Sequence, residues 1–174
     1  MQYGGINKYM KRFLIAFFKP FSFLPALCMI YLIFSFSAQP GVESASLSLK
    51  VTEHVIHIAD KLLDANWSEA EQKQKVEACH YYVRKAGHMT EYCVLAITIA
   101  LPLYVYGLRG FLLMLTAGAA CVLLAAGDEY HQSFVAGRGP SVKDVGIDSF
   151  GALIGILLTR MFSWIAMGGK KKMT

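Results

Sequence analysis

Residues 92–127 read YCVLAITIALPLYVYGLRGFLLMLTAGAACVLLAAG, with a single charge, Arg109, in the whole stretch. On either side of it lie charge-free runs of 17 residues (92–108) and 18 residues (110–127). Each approaches the roughly 20 apolar residues a helix needs to cross a hydrocarbon core. The stretch therefore predicts two spanning helices joined by a tight turn at Arg109. Upstream, residues 20–42 form a third charge-free run, 23 residues long. Downstream, residues 145–167 form a fourth apolar stretch, broken by Asp148 and Arg160. Arg160 lies close enough to the end to snorkel to the interface, with Trp164 as an aromatic anchor. Asp148 is the costly residue, because an intramembrane carboxylate is rare without a partner or water.

The whole composition agrees. The chain has 174 residues, 55% hydrophobic and 17% charged, with a mean hydropathy of +0.43. A soluble domain carries about 25% charged residues, so a soluble core of buried helices is the poorer reading. The expected fold is an all-α membrane protein. It is one domain of about four transmembrane helices, near 20–38, 90–108, 110–128 and 144–167, with an extracytoplasmic helical loop at 41–87. The apolar run of residues 21–36 is long for a cleaved signal peptide and is expected to stay as the first span. Cys28, Cys93 and Cys121 fall in spans and Cys79 in the outer loop; they suit small apolar fillers and form no metal knuckle or disulfide framework.

Charge sets the orientation. The first 42 residues hold Lys8, Lys11, Arg12 and Lys19 and no acid, and the tail carries Lys170, Lys171 and Lys172. The positive-inside rule places both termini in the cytoplasm, which four spans permit, and Arg109 agrees. The net charge of +5 is thus an orientation signal and not a nucleic-acid footprint. The other two connections then face outward. The 41–87 segment, with six basic and seven acidic residues, has no positive excess to hold it inside.

Within that segment, Gln39-Pro40-Gly41 reads as a turn. Val51, Val55, Ile58 and Leu62 form an apolar stripe on a helix of about 44–64, expected on the membrane surface or over the bundle. Ser68-Glu69-Ala70-Glu71 is a capping-box pattern starting a second helix that continues past Arg84. Gly87 either bends that helix or allows close packing. Pro25 either kinks the first span or sits near its inner end.

Three polar clusters fall at the outer face in this topology. They are Ser35-Phe36-Ser37-Ala38-Gln39-Pro40-Gly41, with Ser44 and Ser46 following; Arg84-Lys85 through His88, Glu91 and Tyr92; and Asp128-Glu129 through Gln132, Arg138 and Asp144. Arg84, His88 and Glu91 share one helix face, and Asp128 and Gln132 another. Asp144, Asp148, Gly151 and Gly155 line a third face. Its glycine pair is a GxxxG step that lets another helix approach closely. Bland readings exist for each: Asp144 as a capping acid after Ser141, Arg84 and Lys85 as interfacial anchors, and His88 as a packing residue. His131, His54 and His57 read as surface residues. Asp128 and Glu129 resist such readings, since adjacent acids beside an apolar span need cations or water, with Arg84, Lys85 and Arg138 available.

Phe34-Ser35-Phe36-Ser37-Ala38-Gln39-Pro40, Arg84-Lys85-x-x-His88-x-x-Glu91-Tyr92 and Asp128-Glu129-x-x-Gln132-x-Phe134-x-x-Gly137-Arg138, followed by Asp144, Asp148 and Gly151-Ala152, together resemble the three signatures of the VanZ-like family. They occur in that family's order, over most of residues 30–158. The resemblance implies an integral protein of the bacterial cytoplasmic membrane, in a family named for a member that lowers sensitivity to the lipoglycopeptide teicoplanin. It supplies no settled reaction and no cofactor.

The residues themselves support three classes of function. The first is an enzyme working on a membrane lipid or lipid-linked cell-envelope headgroup at the outer leaflet. Its catalytic set is His88, Glu91, Asp128 and Glu129, with His88 or Glu129 as general acid or base. Its binding set is Ser37, Gln39, Arg84, Lys85, Gln132, Arg138, Asp144 and Asp148, the basic members taking anionic oxygens. With no HExxH and no DxD, a divalent ion would have to rest on carboxylates alone. The second class is a binding or transport protein for the same ligand, although four spans are few for a transporter unless it dimerises. The third is a structural membrane partner whose polar cluster locks the bundle.

Overall fold

In the computed structural model, which describes residues 8–168, all regular structure among the described residues is helical. A short helix, α1 (Lys8–Phe18), runs through a 3₁₀ stretch (Lys19–Phe23) into α2 (Leu24–Ser37). Then come α3 (Gly41–Leu63), α4 (Glu69–Val105), α5 (Gly110–Gln132) and α6 (Val142–Gly168). Four segments are long and apolar enough to cross a membrane: Arg12–Ser37, Glu69–Val105, Gly110–Gln132 and Val142–Ile165. The tail lysines, on which part of the orientation rests, lie outside the described residues.

Pro25 stands in the first turn of α2, where a missing backbone N–H costs no helical hydrogen bond. It therefore starts a helix and does not kink one. The capping box at Ser68 forms as read: the Ser68 backbone N–H donates to Glu71 Oε2 at 2.8 Å, and the Glu71 N–H donates to Ser68 Oγ. The expectation of a break or tight contact at Gly87 is not met. α4 is continuous over 37 residues, and a Cβ at Gly87 would meet nothing within 4 Å. At 1.5 Å per residue α4 is about 55 Å long, well beyond a hydrocarbon core of about 30 Å. Its first half therefore extends as an arm.

α3 packs antiparallel against that arm. At the hairpin tip, Asp60 accepts from the Trp67 backbone N–H at 3.0 Å and from the Gln72 amide at 3.1 Å. Lower down, Ser48 Oγ and His80 Nε2 are 2.7 Å apart. Of the two placements open to the apolar stripe of α3, over the bundle or on the membrane surface, its exposure agrees with the second. Thr52 and Ile56 are buried, while Val51, Val55, Ile58 and Leu62 are exposed. Small polar side chains let α3 lie close to α4, and the bulkier stripe is turned outward.

α4 and α6 run parallel and touch backbone to backbone. A Cβ on Gly151 would overlap the Met89 carbonyl, and one on Gly155 the Cys93 carbonyl. The GxxxG step thus does what its spacing suggests, and its partner is α4. Tyr92, Leu95, Ala96, Ala117, Cys121, Ala125 and Ala152 fill the core. So many small residues allow the close helix approach typical of packing in lipid.

Candidate functional site

Helix direction decides where the polar residues meet. α2 and α5 end, and α4 and α6 carry their polar segments, at the same end of the bundle. Ser37 closes α2 and faces Asp128 in the last turn and a half of α5, its hydroxyl donating to Asp128 Oδ2 at 2.8 Å. The Gln132 amide, one turn on, donates to the same oxygen at 2.9 Å and to Ser37 Oγ at 3.2 Å. Asp128 is fully buried and Ser37, Gln132 and Glu129 nearly so. Glu129 turns away from this trio and accepts the Ser141 backbone N–H at 2.7 Å, bracing the loop that enters α6.

The loop 133–141 locks onto the end of α2. Arg138 donates from Nε to the Gln39 carbonyl at 3.0 Å and from Nη2 to the Phe36 carbonyl at 2.9 Å. Gly41 donates its N–H to the Ala136 carbonyl at 2.9 Å. A Cβ on Gly41 would overlap the Gly137 carbonyl, and Gly137 itself has φ +73°, a conformation glycine adopts without strain. The glycines of the first and third motifs are therefore one contact point.

Between these elements and the α3–α4 arm lies a cleft of about 200 Å³. Ser37, Gln39, Arg84, His88, Glu91 and Arg138 line it, joined by Ser44 and Ser48 of α3 and by apolar Leu47, Val51 and Val83. Arg84 Nε is buried with no hydrogen-bond partner among the described residues. The Arg138 guanidinium is pushed below its ordinary pKa, first by burial and next by the nearby Arg84 charge, while Asp128, Glu129 and Glu91 pull it back up. Two guanidinium groups thus share one small space.

The structure splits the sequence-expected residues into three groups. Ser37, Gln39, Arg84, His88, Glu91 and Arg138 meet in the cleft. Asp128, Gln132, Glu129 and Asp148 lie among the helices behind it. Lys85 and Asp144 pair with each other at 2.6 Å on the rim of the α4–α6 seam, so Asp144 binds a cation and not only a helix start. The expected cation partners of Asp128 and Glu129 are not the ones found. Neutral hydroxyl, amide and backbone donors hold both acids, because Lys85 and Arg138 are engaged elsewhere. Asp148 is fully buried, and neither of its oxygens has a hydrogen-bond partner among the described residues. Among the described residues no group of three or more His, Cys, Asp or Glu is set to hold a metal ion.

Two contributions were not seen in the sequence. Ser48, with Ser44 one turn before and Thr52 one turn after, forms a small polar stripe at four-residue spacing that could have marked the packed face of α3. His131, read as a surface residue, is half-buried against Phe34, ring centroids 5.7 Å apart.

Four apolar spans with a polar cleft gathered at one end define an α-helical membrane protein built around a rim site. A family model described as VanZ/LLP1 matches residues 21–163, and the chain belongs to that family. No curated protein and no solved structure matches the chain.

Proposed function

We propose that the protein binds the anionic headgroup of a membrane lipid or lipid-linked cell-envelope precursor at the outer leaflet of the bacterial cytoplasmic membrane, with both termini in the cytoplasm. The observation that carries this reading is the meeting of Arg84 and Arg138 in one cleft, with Arg84 Nε buried and unpartnered among the described residues. Guanidinium forks suit phosphate and carboxylate oxygens, and two of them side by side are stabilised by an anion between them. Size narrows the ligand. About 200 Å³ is below the roughly 300–1,000 Å³ of pockets for drug-sized molecules. It admits a headgroup, with the acyl or prenyl chain left in lipid, and not a whole lipoglycopeptide.

His88 and Glu91 in the same wall favour a second reading, in which a bond of the bound headgroup is broken by acid–base chemistry. Protein in nanodiscs should bind a prenyl phosphate, and Arg84→Ala should weaken binding at least about tenfold, the size of a lost charge-assisted hydrogen bond. Equal binding by wild type and Arg84→Ala would refute the cleft as the headgroup site. Release of a headgroup from a lipid-linked precursor, lost in His88→Gln, would make the second reading the correct one.

A further inference from the structure

Asp148 and His88 occupy facing positions on the most tightly fixed seam of the molecule. Gly151 and Gly155 seat α6 directly on the α4 backbone at Met89 and Cys93. Asp148 stands one turn before Gly151, and His88 is next to Met89. One turn further out, the 2.6 Å Lys85–Asp144 pair clamps the same two helices. The backbone separation at Asp148 and His88 is therefore set from both sides. His88 Nδ1 lies 4.0 Å from Asp148 Oδ1, and among the described residues no other basic group lies within that distance of it.

The acidic groups facing Asp148 make matters worse for it and not better. Glu91 of α4, Asp128 and Glu129 of α5 and Asp144 of its own helix are all within reach of its charge. Tyr92, fully buried on α4, has a hydroxyl with no partner among the described residues. Lys85 is held by Asp144 and Arg138 by two carbonyls. The imidazole is the basic group nearest this carboxylate, and about 1 Å of side-chain adjustment brings it to hydrogen-bond distance. An imidazole that turns Nδ1 to a buried acid has Nε2 on its opposite edge, and His88 lines the cleft.

From this geometry we infer that Asp148 is the positioning residue for His88: it accepts the Nδ1–H, fixes that tautomer, and leaves the Nε2 lone pair as the proton acceptor of the cleft. The acid here is not a ligand contact. Its role is that of the carboxylate in an acid–imidazole pair, which sets the ring's orientation and tautomer without itself taking the proton. The inference rests on the headgroup reading only for what Nε2 would act upon; the pair itself needs no ligand.

Nitrogen-15 NMR of histidine-labelled protein in nanodiscs tests it, at a pH alkaline enough to leave surface histidines neutral and with His88 assigned by His88→Gln. The expected spectrum shows Nδ1 protonated and Nε2 bare. In Asp148→Asn the ratio of the two tautomers should move at least about tenfold toward Nε2–H, the effect of losing a hydrogen bond to a charged acceptor, and Asp148→Glu should restore it. A proton on Nε2 in the wild type overturns the inference. So does an imidazolium under these conditions, or an unchanged tautomer in Asp148→Asn. If Asp148→Asn fails to fold, the wild-type spectrum decides alone. Failure of the headgroup reading appears separately, as unaltered prenyl phosphate binding in Arg84→Ala, and leaves the spectrum untouched.

Discussion

The two faces of α4 are packed by opposite means. Toward α6, glycines bring backbone onto backbone and the side chains between them are buried acids, a histidine and a tyrosine. Toward α3, contact is made through serines, Thr52 and Ile56, with hydrogen bonds that remain partly exposed and a bulky apolar stripe left outside. A glycine seam leaves no slack, so ionisable groups on it can be held at defined separations. The cleft lies between the two, with α4, α2 and loop 133–141 on one side and α3 on the other.

The comparison can be broken most severely at Gly151. Gly151→Leu drives a side chain into the Met89 carbonyl and should cost about 3 kcal/mol or more, or abolish folding; thermal unfolding in detergent would show it. Gly87→Ala on the same seamless α4 is the control. With open space around its Cβ, it should stabilise the helix by about 0.5–1 kcal/mol, so equal losses at the two glycines would dissolve the distinction. Next in size is Ser37→Ala. It removes one of the two donors on buried Asp128 Oδ2 and should cost about 1.5–3 kcal/mol. On the hairpin side, Asp60→Ala frees the Trp67 and Gln72 donors at a partly exposed tip, and a loss near 1 kcal/mol is expected. Val55→Ala, on the exposed stripe, should stay within about 0.5 kcal/mol in detergent.

Much of this was legible in residue order. Charge-free runs, the Ser68 capping box and the Gly151/Gly155 step are local signals whose physics acts within a few residues, and each found its place. The gathering of Ser37, Arg84, His88, Glu91 and Arg138 also followed, because alternating helices can bring three separated polar segments together at only one end. What sequence could not give was which donor satisfies which acid. Glu129 takes a backbone N–H of Ser141, and Asp128 a serine and a glutamine, because Arg138 is spent on the end of α2; these are outcomes of three-dimensional competition that no spacing encodes. The face by which α3 meets α4 was not legible for a related reason. The exposed Val51–Leu62 stripe agrees with a membrane-surface placement, but nothing in its spacing says that close approach to α4 selects the narrow Ser48–Thr52 face.

Impermeant maleimide labelling of Ser44→Cys, in a Cys79→Ser background in intact cells, tests the central claim most directly. Ser44 lines the cleft, so the cysteine should label from outside, and labelling of the purified protein should slow when prenyl phosphate is added. Labelling that appears only after the cells are permeabilised would put the cleft on the wrong side of the membrane and contradict the account.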